Sequence, residues 1–214
     1  MHGQKTAVHG AVTKASSGGR TQSMLVEDLQ NYQRQFQSIK IGAENLLRDL
    51  NELQFNWQPG ADRWSIAQSI DHLVVTGRSS LSNIHRAIND ARSKDLFSPG
   101  PFRYGLIERW FVRQMEAAAT MTFKAPKAYL PSASQLHVEI VASFYSLQEE
   151  FLSCIEEANG LDLSRTKVSN AASRWFRLSL GQELAFNAAH ERRHLWQAAR
   201  VKKELDFSRT PTTV

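Results

Sequence analysis

The chain has 214 residues, 42% hydrophobic and 22% charged, the proportions of a single folded domain rather than of a disordered or fibrous chain. Its formal charge is +5, but Lys5, Lys14 and Arg20 stand in an acid-free stretch of residues 1–23, leaving 23 basic against 21 acidic residues in the body; basic and acidic residues alternate there, which excludes the concentrated basic face of a nucleic-acid binder. A single cysteine rules out an internal disulfide or a CxxC metal motif, and no apolar run approaches the roughly 18–20 residues of a membrane helix.

Residues 1–22 are poor in acids and lack the apolar core of a secretory signal, so they read as a disordered leader on a cytoplasmic protein. From residue 23 the periodicity is helical. Leu25, Leu29, Tyr32, Phe36, Ile39, Leu46, Leu50 and Leu53 recur at spacings of three, four and seven, which predicts one long helix over 23–53 with a single apolar stripe. Pro59 and Gly60 mark a connection. Ser65 and Gln68 stand at capping-box spacing, so a second helix is expected over about 65–91.

Residues 92–133 are broken by Pro99, Pro101, Pro126 and Pro131 and leave room for one short helix at 103–119. Ser132 with Gln135 then predicts a third long helix over about 133–159, stopped at Asn159-Gly160. Segment 161–178 reads as a loop without a hairpin signal. Ser179 with Gln182 opens a fourth helix to about residue 204, and residues 207–214 read as a loose tail. Four long striped helices predict an all-α four-helix bundle over 23–206, with a long crossover between helices 2 and 3.

The histidines carry the candidate chemistry. His190 and His194 are four apart in NAAHERRHLWQ, which sets two imidazoles one turn apart on one helix face, within reach of one ion. The bland alternative is a pair of half-buried polar residues. His72, in WSIAQSIDHLVV, lies on the inward stripe of the second helix. There a hydrogen bond or a metal must satisfy it. His85 is about 220° further round the same helix and is expected to face solvent, while His137 is a further candidate for the cavity. Asp71 and Glu191 point about 100° away from the neighbouring histidines, and Gln197 faces nearly the same side as His194. Cys154, among apolar neighbours in FLSCIEE, reads as core with no activating base beside it in sequence. The five tryptophans read as core or pocket wall.

Trp57-x-Pro59, Trp64-Ser65-Ile66, His72-Leu73, Phe123-Lys124-Ala125-Pro126 and His190-x-x-x-His194-Leu195-x-x-Gln197 occur in that order along most of the chain. Together they resemble the DinB-like (DinB/YfiT) superfamily. The resemblance implies a four-helix bundle with a metal site at one end, its ligands one histidine of the second helix and two of the fourth, here His72, His190 and His194. Three imidazoles leave a coordination position open, as in catalytic sites, and nitrogen donors suit zinc or nickel alike. Relatives imply thiol S-transfer, with a small-molecule thiol and an electrophile as partners. Metal-dependent hydrolysis and a non-catalytic, stress-related metal-binding or dimerisation bundle are the alternatives. No side chain is assigned as catalytic, no nucleic acid or membrane partner is expected, and a homodimer is left open.

Overall fold

The structure is a computed structural model that describes residues 24–116, 125–131, 139–170 and 173–209. Its helices are α1 (Glu27–Leu47), α2 (Glu52–Asn56), α3 (Ile66–Ser93), α4 (Leu106–Gln114), α5 (Ile140–Glu157) and α6 (Leu180–Arg209). A 3-10 turn spans Lys127–Tyr129, and a two-stranded sheet pairs β1 (Lys167–Asn170) with β2 (Ser173–Ser179). None of the described helices is long and apolar enough to cross a membrane.

The four long helices α1, α3, α5 and α6 make the bundle, and side-chain contacts fix their directions. His72 meets His190 and Ser80 meets Glu183, so α3 and α6 run antiparallel. Gly77 meets Leu147 and His85 meets Cys154, so α3 and α5 run parallel. Val26 reaches Asn159 and Lys40 reaches Glu149, which sets α1 antiparallel to α5. Two parallel pairs packed against one another require the chain to travel the length of the bundle between α3 and α5, the crossover that the sequence predicts.

The core is the apolar stripe of each helix: Leu29, Tyr32, Phe36 and Ile39 of α1, Ile70, Leu73, Ile84 and Ile88 of α3, Phe144, Leu147 and Phe151 of α5, Leu184 and Ala188 of α6. Phe36 and Phe151 stack with centroids 4.6 Å apart. Ser65 caps α3 as expected: its side chain accepts from the Gln68 amide, and the Gln68 side chain accepts from the Ser65 amide. Asn159-Gly160 does end α5, with Gly160 at φ 87°.

Several expectations need correction. The helix predicted over 23–53 breaks after Leu47, because Asp49 turns into the left-handed region at φ 63° and Asn51 and Gln54 form a fresh capping box that starts α2. Leu53, counted on the stripe, is 84% exposed. Segment 161–178 is not all loop, since 167–179 forms the hairpin. Val168 and Leu178, which face each other across the ladder, are its buried apolar residues among those described, a signal too short for the sequence to reveal as a strand. The expected capping box at the start of α6 does not form. The Ser179 amide donates to Glu108 of α4 at 2.9 Å, and the Gln182 side-chain oxygen has no partner. α6 continues past residue 204 to Arg209, as nothing before Pro211 breaks it. The short crossover helix is confined to 106–114. The leader, the Ser132/Gln135 cap, His137 and residues 210–214 lie outside the described residues.

A Cβ on Gly77 would stand 2.5 Å from a terminal methyl of the fully buried Leu147, so any side chain there forces Leu147 to shift within the core between α3 and α5. Gly77→Val should therefore destabilise the fold by about 1–3 kcal/mol through overpacking. Chemical denaturation reads this directly, and a Gly77→Val chain of unchanged stability would refute the close-approach account.

Candidate metal centre

His72 projects from the second turn of α3, and His190 and His194 project from successive turns of α6. Antiparallel packing of these two helices carries one donor atom of each ring to within 4.8 Å of the other two. Ring centroids are 5.1 Å apart for His72–His190, 4.5 Å for His72–His194 and 4.6 Å for His190–His194, all edge to face. The Nε2 atoms of His72 and His190 are separated by 3.2 Å. Two nitrogens that share a tetrahedral ion at ordinary zinc distances stand about 3.3 Å apart, so this pair already has coordination spacing.

The His72 tautomer follows from its other nitrogen. Nδ1 lies 2.6 Å from the Tyr129 carbonyl in the 3-10 turn. A carbonyl only accepts, so Nδ1 carries the proton and Nε2 presents its lone pair to the cluster. The crossover thus orients a ring that α3 supplies, a contact no side-chain pattern announces. His194 has the complementary signature: its Nδ1 is buried and has no hydrogen-bond partner. A polar atom in that state calls for a ligand.

All three imidazoles are held neutral. Burial is the largest cause for each. His72 is lowered against a smaller upward pull from the Tyr129 carbonyl and Asp71. His190 falls to about 3, with His72 and the Arg193 guanidinium adding to burial. His194 lies well below the ordinary value, with His190, His72 and Arg193 adding to burial, while a side-chain contact from Gln197 works the other way. A neutral imidazole is the form that binds metal. The donor chemistry, the spacing and the orphaned nitrogen therefore all fit a divalent cation.

Aromatic rings wall the cluster. Trp64 lies 4.9 Å from the His72 ring and stacks on His194 at 5.8 Å. Phe186 stacks on His190 at 5.8 Å and on Phe111 of α4 at 5.4 Å. Trp64 is thus pocket wall, as expected. Trp110 and Trp196 are instead about half exposed, Trp196 beneath the Arg200 guanidinium. Among the described residues no Asp, Glu or Cys joins the three histidines. Glu191 turns into the core beside Gln148, and burial raises its carboxyl to about 8. His85 stays out of the cluster, half exposed further along α3.

The DinB superfamily profile matches residues 42–198. The chain belongs to the DinB superfamily. No significant match was found among curated proteins or solved structures. The match spans all three histidines of the cluster, so the resemblance and the geometry concern the same residues.

About two turns along α3 and α6 from the histidines, Ser80 donates to Glu183 at 2.7 Å, and Asn187 donates to the Ser80 hydroxyl at 2.7 Å. Burial raises the Glu183 carboxyl above its ordinary value despite these bonds. Between the ordinary and the raised value, the folded chain keeps a proton that the unfolded chain has lost. This contribution to stability is therefore full at acid pH and is lost as pH rises through the folded value. Glu183→Gln keeps the accepting oxygen and removes the titration. Relative to the parent, its stability should rise as pH rises from the ordinary carboxylate value through the raised one, by at most ~1.4 kcal/mol per unit. Urea unfolding across that range measures the difference, and a pH-independent offset would contradict it.

Proposed function

We propose that His72, His190 and His194 hold one zinc or nickel ion and that the protein uses it as a thiol S-transferase, joining a small-molecule thiol to an electrophile. The observation that carries this reading is the convergence of three neutral imidazoles, with no Asp, Glu or Cys among the described residues joining them, on one point of a DinB-superfamily bundle. A divalent ion on three imidazoles keeps a position open and lowers the pKa of a thiol that occupies it, which supplies thiolate at neutral pH. The protein's own part is to orient and to shield. Tyr129 fixes the His72 ring, while Trp64 and Phe186 flank the rings with apolar surface that suits an organic electrophile and limits water.

Purified protein should contain about one divalent ion per chain by elemental analysis, and His190→Ala or His72→Ala should lose it while keeping the helical circular dichroism of the parent. Unchanged metal content in both variants would end the metal reading. A panel of glutathione, bacillithiol and mycothiol against a set of electrophiles tests the chemistry. We expect turnover that a chelator abolishes and that returns with added zinc or nickel. Metal bound without turnover on any pair would favour a non-catalytic metal-binding bundle, and metal-dependent hydrolysis of an ester or amide would favour a hydrolase.

A further inference from the structure

A second group of metal-ligating side chains lies far from the three histidines, in the seam between α3 and α5. His85 is 13 residues beyond His72 on α3, about 20 Å along the helix axis. Its Nε2 and Nδ1 lie 3.3 Å and 3.7 Å from Cys154 Sγ on α5. On its other side, Nδ1 lies 3.5 Å from Glu157 Oε2. Cys154 and Glu157 are three apart on α5 and so share a face. One imidazole edge is thus in contact with a sulfur and a carboxylate at once.

We propose that Cys154, His85 and Glu157 form a separate site for a borderline-to-soft divalent cation of the zinc type, which would clamp α3 to α5. The distances support this. Around a tetrahedral zinc, sulfur and nitrogen donors stand about 3.6 Å apart and nitrogen and oxygen donors about 3.4 Å apart, close to the two spacings His85 already makes. The Cys154–Glu157 spacing is not yet closed, since the three donors do not lie within 4.8 Å of one another. Glu157 is 39% exposed and its described side-chain partners are His85 at 3.5 Å and Ser153 at 3.4 Å, so closing the site requires a rotation of this carboxylate. The mixed sulfur, nitrogen and oxygen set selects zinc, cobalt or cadmium over magnesium or calcium.

Charge favours the same occupant. Burial, with Glu157 and Glu150 adding to it, raises the Cys154 thiol to about 12, so a lone thiolate is disfavoured there. That field attracts a cation. When a dication binds, the thiol proton leaves to solvent, and thiolate plus carboxylate balance the metal's charge. The bland account is a simple S–H···N hydrogen bond between Cys154 and His85.

Cobalt(II) titration of the full chain separates the two accounts. Cys154 is the only cysteine, so a near-ultraviolet thiolate-to-cobalt charge-transfer band reports this site alone, whatever the three histidines bind. We expect the band in the parent, its loss in Cys154→Ser, and affinity at least ~10-fold weaker in His85→Ala, on the scale that follows loss of a metal-site partner. His85 is 44% exposed, so His85→Ala should fold like the parent by circular dichroism. No thiolate band in the parent, or a band of unchanged affinity in His85→Ala, would overturn the site.

Discussion

The antiparallel seam of α3 and α6 is the constraint on which the rest of the molecule depends. It must bring three rings from two helices to one point while keeping them dry enough to remain uncharged. An isolated buried imidazole is costly unless something satisfies it, and here three share one small volume. The surrounding structure answers that demand with a carbonyl for His72, aromatic walls on Trp64 and Phe186, and a crossover that closes back over α3. The bundle core, built from Phe36, Phe144, Phe151 and the leucines and isoleucines around them, holds the two helices in that register.

The sequence reveals the donors more readily than their supports. His190 and His194 follow from a spacing of four, and His72 from its place on an apolar stripe. Both signals survive because helix geometry is periodic and local. The Tyr129 carbonyl that orients His72 is a backbone atom of a proline-bounded turn, 57 residues away, and no residue type marks it. Nor does sequence alone pair Cys154 with His85. Each looks unremarkable in its own helix, and only the parallel packing of α3 and α5, which Gly77 permits, places them together.

The fold was legible at the level of helix count and crossover for the same reason, and illegible where short polar signals compete. Asn51 and Gln54 form a capping box as good as that of Ser65 and Gln68, yet the apolar stripe running through Leu50 and Leu53 masked it. At Ser179 the reverse happened: the pattern is present, but Glu108 of α4 takes the amide first. That glutamate also accepts from Lys167 and from the Gly105 amide, so one side chain anchors the crossover helix to the hairpin and to the start of α6.

The direction of the helices has a consequence for assembly in time. α1 lies along α6, its parallel neighbour, with Lys202 reaching the carbonyls of Leu46 and Arg48. During synthesis α1, α3 and α5 emerge first, and α5 can pack on both of the others. Without α6, the other three long helices leave uncovered the apolar side chains that α6 packs on, and His72 lacks its two partners. Such a surface invites association with other chains. Packing of α6 both covers that face and completes the three-histidine group, because His190 and His194 lie on this one helix.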